Sequence, residues 1–264
     1  MYKLLLMVCL CALVSCGSRD IPVGNGAPVK TFHNGVYPQF SDEDPFDWQG
    51  IRPERYPIHG IDISKYQGEI DWLSVRRSGV SFAYIKATEG GDHLDEKFMD
   101  NWRGAARGGV PRGAYHFYYF CRTAAEQARW FIQNVPRDRT ALPPVLDIEW
   151  NHQSRNCPGK PAAIHIRREM TRFIQILTVH YGRRPLIYTT VDFFADNQIG
   201  QVQGADFWLR SVAGHPSETY QRQHWTLWQY TGTGNVPGIK GKVDLNAFAG
   251  SPDAWNSWVT YLRQ

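Results

Sequence analysis

Short apolar segments that alternate with helical patterns are the feature that most constrains the fold of this chain. Period-two strand patterns occur at residues 58–64, 81–88, 112–119, 143–149 and 185–189. Such an order is typical of α/β proteins, in which helices connect the strands of a parallel sheet. Three further strand patterns, at residues 206–212, 225–230 and 243–248, leave little room for helices, and a last helix is predicted at residues 252–262. We therefore expect an irregular, TIM-like β/α barrel with about five βα units and a strand-rich last third.

Local signals support the helices between these strands. Asp71 stands where a helix cap is expected, and Gly79 stands where that helix should end. Thr123 and Glu126 form a capping-box pattern, which predicts a helix start. Apolar residues recur at intervals of three and four over residues 166–181, so this segment is predicted to be the longest amphipathic helix.

Two acidic residues share one predicted strand, which begins after Pro143 and Pro144. Side chains at positions i and i+2 of a strand point the same way and lie roughly 6 to 7 Å apart, so Asp147 and Glu149 should share one small volume. Two carboxylates this close repel each other, which raises the pKa of one and keeps it protonated near neutral pH. This arrangement is glycosidase-like; the alternative is that both acids end an edge strand in solvent.

Other acidic residues also fall near the ends of predicted strands. In a β/α barrel the working residues gather at the C-terminal ends of the strands. Asp62 and Asp244 are so placed, as are Asp147 and Glu149. Closure of the barrel is therefore expected to bring four carboxyl groups around one pocket.

The N-terminus is predicted to be a targeting segment. Residues 1–16 combine a positive start at Lys3 with a short apolar run, and Leu13-Val14-Ser15-Cys16 resembles the lipobox of bacterial lipoproteins, with Cys16 as the lipidated residue. The alternative is an ordinary secretory signal. Residues 17–56 are predicted to be a tether whose aromatic residues indicate that its second half lies against the domain, and residues 57–264 form the predicted catalytic domain.

The cysteines, the histidines and the net charge limit the classes of function that the chain can have. Outside the predicted signal and lipid site, Cys121 and Cys157 either form one disulfide in an oxidising compartment or remain two unpaired thiols. The nine His show no H-E-x-x-H or paired C-x-x-C spacing, so neither a metal nor a cofactor is expected. A formal net charge of +4 is too weak and too scattered to indicate nucleic acid.

Several motifs occur together in one order along the chain. They include Gly60-Ile61-Asp62-Ile63-Ser64 and Leu146-Asp147-Ile148-Glu149, with further matches at residues 67–68, 70–72, 82–90, 113–117, 228–230, 236–239 and 243–246. Together they resemble glycoside hydrolase family 25, the Chalaropsis-type lysozymes, over residues 58–250. Each motif is weak alone, but their shared order makes the resemblance specific.

The resemblance implies an N-acetylmuramidase that cleaves the β-1,4 bond between N-acetylmuramic acid and N-acetylglucosamine in peptidoglycan. It implies Glu149 as the catalytic acid and Asp147 as the partner carboxylate. Asp147 would act as nucleophile or would orient the 2-acetamido group of the substrate, and the resemblance favours the second role. Asp62 and Asp244 match the two further pocket acids, which position the substrate and tune protonation of the acid.

Other matched positions have weaker assignments. Lys86 is expected to contact the substrate or a pocket carboxylate, with a structural ion pair as the alternative. Tyr188, Trp228 and Gln229 are expected to contact a sugar, although for the aromatic residues a core position is an equal alternative. One departure from the family pattern occurs at Trp208-Leu209-Arg210-Ser211-Val212, where the family commonly has a small residue and an aromatic residue after Trp-Leu.

The sequence therefore predicts a monomeric peptidoglycan hydrolase in the cell envelope, anchored to a membrane through Cys16. The competing hypothesis is a non-catalytic peptidoglycan-binding lipoprotein on the same fold. A dinucleotide enzyme is disfavoured, because Gly232-Thr233-Gly234 is followed by a strand-like segment and Pro237 rather than by a helix.

Overall fold

The computed structural model describes residues 38–151, 157–221 and 223–261. The strands are β1 (Ser41–Asp42), β2 (His59–Ile63), β3 (Phe82–Glu89), β4 (His93–Leu94), β5 (Arg112–Phe117), β6 (Val145–Asp147), β7 (Leu186–Thr189), β8 (Asp206–Arg210), β9 (Leu227–Asn235) and β10 (Val243–Phe248). The helices are α1 (Trp72–Arg77), α2 (Phe98–Arg107), α3 (Ala124–Asn134), α4 (Ala163–Tyr181), α5 (Val191–Asp196), α6 (Pro216–Thr219) and α7 (Pro252–Tyr261). Three short 3-10 helices occupy Pro53–Arg55, Lys65–Gln67 and Ile199–Gln201.

Eight of the strands in these ranges close into a barrel. Their order is β9, β10, β2, β3, β5, β6, β7 and β8, and β8 pairs with β9 to complete the ring. The neighbours from β2 round to β9 are parallel, whereas β10 runs antiparallel to both β9 and β2. The fold is therefore a mixed α/β protein built on a closed eight-stranded barrel.

Strand alternation divides the core into two layers. Odd and even positions point to opposite faces of a strand, so each strand supplies both layers. Ile61, Ala83, Leu146 and Ile187 belong to the cluster that packs under the helices. The second cluster, which fills the barrel, contains strand residues together with residues of α7 such as Trp255. Helix α7 thus covers the end of the barrel at which the parallel strands begin.

Two motif glycines make room for large rings inside the barrel. A Cβ atom at Gly60 would lie 2.4 Å from the ring of Phe82, and one at Gly113 would lie 2.2 Å from the ring of Tyr84. Real Cβ atoms do not approach other atoms so closely. Since the paired strands place each glycine beside its ring, any larger residue at either position would displace the aromatic filling of the barrel.

Residues 38–56 lie against the barrel. Strand β1 pairs with β9, and the ring of Trp48 packs edge-on against that of Trp228 with centroids 5.2 Å apart. Phe40 packs in the same way against His59, at 5.7 Å. This part of the predicted tether is thus packed on the domain, whereas residues 1–37, with the predicted signal and the lipid site at Cys16, lie outside the described residues.

Most predicted elements are confirmed with small shifts at their ends. The Asp71 cap accepts hydrogen bonds from the amides of Leu73 and Ser74, and the Thr123 capping box is formed on both sides. Strand β6 is shorter than predicted and ends at Asp147. The expectation of few helices after Val191 was incomplete, because α5 and α6 occur there as single short turns of helix.

Candidate active site

A pocket of about 450 Å³ opens at the end of the barrel opposite α7. Each of the eight barrel strands contributes to its walls, which consist of Asp62, Ser64, Tyr66, Lys86, Tyr115, Phe117, Asp147, Glu149, Tyr188, Thr190, Trp208, Arg210, Gln229 and Asp244. A larger cavity of about 900 Å³ opens at the other end, beside Pro143 and Trp258, and does not include the four carboxyl groups. The chemistry of the lining therefore identifies the site better than its size does.

Asp147 and Glu149 both line this pocket, as their spacing predicts. The residues between and before them, Ile148 and Leu146, are fully buried on the opposite face under the helices. Asp147 sits in register with Phe117 and Tyr188 on the neighbouring strands. Alternation therefore separates the apolar pair from the acidic pair and directs both acids toward the barrel opening.

Burial dominates the electrostatics of this acidic pair. It raises the pKa of Asp147 well above its usual range, and the nearby charge of Glu149 raises that pKa further. Burial also raises the pKa of Glu149, against the opposing effect of the Arg210 guanidinium. Because both shifts favour the protonated forms, the pocket can keep a transferable proton near neutral pH.

Asp62 is held at the pocket floor by two amide side chains. Asn246 donates to Oδ2 at 2.7 Å, and Nε2 of Gln229 donates to both carboxylate oxygens at 3.2 and 3.0 Å. Behind them, Trp208 donates to Asn246 at 2.7 Å and the Tyr188 hydroxyl donates to Gln229 at 2.9 Å. These amides satisfy Asp62, so burial raises its pKa only to about 6.

Asp244 joins the cluster because β10 is antiparallel. It is the second residue of its strand, yet it pairs with Asp62, which is near the end of β2. Burial and then the charge of Asp62 raise the pKa of Asp244 to about 8. The structure thus brings together all four acidic residues that the sequence assigned to one pocket.

Two cations line the described part of the pocket. Nζ of Lys86 donates to Oε2 of Glu89 at 2.6 Å and lies 5.0 Å from the centre of the Phe117 ring. Lys86 therefore lines the pocket, as predicted, and also forms the structural ion pair that was the alternative prediction. Arg210 is the other cation, and its charge lowers the pKa values of Asp62, Glu149 and Asp244.

Trp228 does not reach the pocket, contrary to its predicted sugar contact. Its side chain is fully buried outside the barrel, where its indole N–H donates to the Ser211 carbonyl at 2.7 Å. Gln229, the next residue, lines the pocket, but its amide is already engaged by Tyr188 and Asp62. Adjacent strand residues face opposite sides, so only one of these two positions was able to face a sugar.

The pocket also contains residues that were not assigned a role from the sequence. Tyr115 and Phe117 line it from β5, Tyr66 projects at its rim with 82% of its surface exposed, and Arg210 lines it from β8. Alternation provided a signal for two of them, since Tyr115 and Phe117 follow Gly113 at steps of two. Arg210 was visible only as a departure from the family pattern.

A disulfide joins two loops at the pocket end of the barrel. Cys121, between β5 and α3, is bonded to Cys157, between β6 and α4, and their Cα atoms are 5.5 Å apart. This bond connects the segments that leave the two neighbouring strands. His116, by contrast, is a buried core histidine bonded to Thr88 at 2.7 Å and to Gln127 at 3.1 Å.

Several known proteins are similar to this chain in sequence and in fold. Lysozyme M1 of Streptomyces globisporus is 37% identical over 202 residues, which cover 74% of this chain and 68% of that protein. The uncharacterized protein YegX of Escherichia coli (strain K12) is 33% identical over 223 residues, 80% of this chain and 77% of that protein. The solved structure of a family 25 glycosyl hydrolase from Bacillus anthracis has a TM-score of 0.73 and 35% identity, and it covers 83% of this chain and 99% of that chain.

The family model for glycosyl hydrolases family 25 matches residues 61–239, which include both acids of strand β6 and its following segment. The match therefore spans most of the barrel, and the relatives extend it across most of the chain. With its acidic pocket at the open end of the barrel, this chain is a glycoside hydrolase and belongs to glycosyl hydrolase family 25.

Proposed function

We propose that this enzyme is a lysozyme that cleaves the β-1,4 bond between N-acetylmuramic acid and N-acetylglucosamine in peptidoglycan. The observation that carries the proposal is the pair of carboxyl groups on one face of the chain, buried Asp147 and partly buried Glu149, in a pocket lined by aromatic rings. Aromatic rings such as Tyr115 and Phe117 provide the apolar faces on which sugars stack. Family membership and the names of the relatives support the same substrate class.

Glu149 is proposed as the general acid. Cleavage requires a proton for the leaving oxygen and negative charge near the oxocarbenium-like anomeric carbon. Burial favours the protonated form of Glu149, which suits this role near neutral pH. After the leaving sugar departs, the ionised Glu149 takes a proton from the water that completes hydrolysis.

Asp147 is proposed to orient the 2-acetamido group of the substrate. Its Oδ1 atom is buried and has no hydrogen-bond partner among the described residues. An amide N–H of the substrate would supply the missing donor, and this bond favours the ionised form of Asp147. The charge on Asp147 keeps the proton on Glu149 until the acetamido oxygen attacks the anomeric carbon. As that bond forms, the bond from the anomeric carbon to the leaving oxygen breaks, and Glu149 gives its proton to that oxygen. Water then attacks the anomeric carbon and releases the acetamido oxygen. Asp62 and Asp244 complete the acidic wall of the pocket.

Product analysis tests the cleaved bond. Purified peptidoglycan is digested with the enzyme, and the released fragments are reduced with borohydride and analysed by mass spectrometry. A muramidase releases fragments that end in reduced muramic acid. Reduced glucosamine ends would contradict the proposed bond, and retention on peptidoglycan without release would favour the wall-binding alternative.

A stable thiazoline analogue of the cyclised acetamido intermediate tests the role of Asp147. We expect it to inhibit the wild-type enzyme and to bind Asp147→Asn at least tenfold more weakly, since the variant lacks the negative charge that faces the ring nitrogen. Inhibition constants from initial rates and from calorimetry measure the difference. A covalent glycosyl adduct on Asp147, trapped with a 2-fluoro glycoside, would instead assign Asp147 as the nucleophile.

Further proposals concern the fold and the location of the enzyme. The run of parallel strands with intervening helices supports an irregular, TIM-like β/α barrel of about five βα units. The predicted lipobox supports an envelope lipoprotein that is anchored through Cys16. We further propose that the enzyme is a monomer in which residues 17–56 form the tether and residues 57–264 the catalytic domain. Among the described residues, none of the helices is long and apolar enough to cross a membrane.

A further inference from the structure

Arg210 lies in the wall of the pocket, and its side chain has no hydrogen-bond or ion-pair partner among the described residues. It is the last residue of β8, two positions after Trp208, and both side chains line the pocket. Its backbone is engaged, because its carbonyl accepts a hydrogen bond from Tyr220 and its strand pairs with β9 beside Gln229. Its guanidinium makes no hydrogen bond or ion pair with any other residue in the described ranges.

Lys86, the other cation of the described pocket, does have an ion-pair partner. Lys86 is neutralised by Glu89 and covers the Phe117 ring. Arg210 acts on the pocket carboxyl groups through its field alone. An arginine presents five N–H donors in a planar fork that matches a carboxylate with two parallel hydrogen bonds. A partly buried guanidinium whose donors are unused is therefore suited to an anionic group of the substrate.

The position of Arg210 restricts that anionic group. Elsewhere in the wall, the raised pKa values of the four acidic residues show that negative charge is disfavoured, and Lys86 is already paired with Glu89. Arg210 therefore offers the most favourable position for an anionic substituent. Because Arg210 is fixed on a strand end within the pocket, its partner must lie close to the sugar ring. In muramic acid this requirement is met by the lactyl carboxyl group, which is separated from the ring only by an ether oxygen and one carbon atom.

The lactyl group is charged only when it is free. In a peptide-bearing strand its carboxyl carbon is part of an amide, and the remaining carboxylates of the peptide lie several bonds farther from the ring. Building on the proposed function, we propose that Arg210 binds the free lactyl carboxylate and makes this enzyme selective for muramic acid residues without peptides. The reaction class that supplies such a substrate is hydrolysis of the amide bond between the lactyl group and the peptide.

Three matched oligosaccharides test this selectivity. The first is a muramic acid oligosaccharide with free lactyl carboxylates, the second is the same oligosaccharide with lactyl carboxamides, and the third is a chitin oligosaccharide without lactyl groups. The kcat and KM values are measured for wild type, Arg210→Gln, Arg210→Lys and the control Arg103→Gln, which alters an exposed arginine on α2. Melting curves establish that each variant is folded.

We expect the wild-type enzyme to prefer the free carboxylate at least tenfold over the carboxamide. Arg210→Gln should lose roughly 10- to 100-fold in kcat/KM on the free carboxylate, mainly through KM, since a charge-assisted hydrogen bond is worth about 1.5 to 3 kcal/mol. The loss on the other two substrates should be at least tenfold smaller, because the effect of Arg210 on the pKa values of the pocket acids is common to all three substrates. Arg210→Lys should recover part of the loss, and Arg103→Gln should match wild type.

An equal loss on all three substrates, with a shifted pH profile, would overturn the proposal, because Arg210 would then act only through the pocket acids. Wild-type preference for the carboxamide would also overturn it. Calorimetry separates this proposal from the proposed function. If wild type cleaves none of the substrates, the lysozyme assignment fails. The Arg210 contact can still be measured by calorimetry, as tighter binding of the free-carboxylate oligosaccharide to Glu149→Gln than to Glu149→Gln/Arg210→Gln.

Discussion

At the scale of single residues, the pocket concentrates carboxyl groups whose protonation differs from that in water. The pKa of Asp244 is raised from 3.8 to about 8, and that of Asp62 to about 6. Burial is the largest cause of both shifts, and the amides of Asn246 and Gln229 limit the shift of Asp62. The folded protein therefore keeps these carboxyl groups protonated, and its conformational stability falls when a rising pH ionises them.

The loss of stability with rising pH can be measured at Asp244. Its raised pKa means that the folded protein holds a proton that the unfolded chain releases above about pH 4. The contribution of Asp244 to stability is thus complete at low pH and declines as the pH rises toward 8. We expect Asp244→Asn to gain stability relative to wild type between pH 5 and pH 8.5, as measured by urea unfolding at both values. A constant difference between the two proteins would contradict the raised pKa.

Part of the site was predictable from single residues. The two-residue spacing of Asp147 and Glu149 predicts that they share one pocket. They do so although β6 ends at Asp147, because the backbone bond from Ile148 to Tyr188 continues the strand alternation up to Glu149. The hydrogen-bond network around Asp62 was not predictable, since Tyr188, Gln229 and Asn246 come from strands that are distant in sequence. Only the closed barrel brings these side chains into contact.

At the scale of elements, the acidic pair lies at the end of β6 and in the loop that follows it, and the loop after β5 lies beside that loop. The bond between Cys121 and Cys157 joins these loops across a sequence separation of 36 residues. A cross-link of this kind stabilises mainly by restricting the unfolded chain. It also limits how far the segment after Glu149 can move from β5.

The disulfide should therefore contribute to stability. We expect Cys121→Ser/Cys157→Ser to lower the free energy of unfolding by about 2 to 4 kcal/mol. Thermal unfolding with and without a reductant measures this effect, and the double variant is its own control because a reductant should not alter it. Equal melting temperatures for oxidised wild type and the variant would show that the bond contributes nothing.

Elements with strong local signals were predictable, and elements without them were not. Helix α3 has a capping box and α4 has a long apolar stripe, and both occur as expected. Helices α5 and α6 have six and four residues, too few to be stable alone. Packing holds them in place, for example through Phe193 of α5, which is fully buried.

At the scale of the whole molecule, residues 38–56 form a strap across the outside of the barrel. Strand β1 extends the sheet at β9, and Trp48 covers Trp228. The Tyr56 hydroxyl is bonded to Nε2 of His215 at 2.8 Å. The packed unit therefore begins before the predicted domain boundary at residue 57.

Removal of this strap should weaken the domain. A chain that begins at residue 53 lacks Phe40 and Trp48, and burial of one large apolar side chain is worth about 1.5 to 3 kcal/mol. We expect its free energy of unfolding to be lower by roughly 2 to 5 kcal/mol than that of a chain that begins at residue 38. Urea unfolding compares the two chains, and equal midpoints with equal slopes would show that the strap does not stabilise the barrel.

The central claim is that Glu149 supplies the proton for glycosidic bond cleavage in the acidic pocket. The most direct test is the rate at which wild type and Glu149→Gln release reducing ends from purified peptidoglycan, with melting curves for both proteins. We expect the rate of the variant to be lower by roughly 10²- to 10⁴-fold, and its melting temperature to lie within a few degrees of that of wild type. A folded variant that keeps most of the wild-type rate would contradict the assignment of the acid.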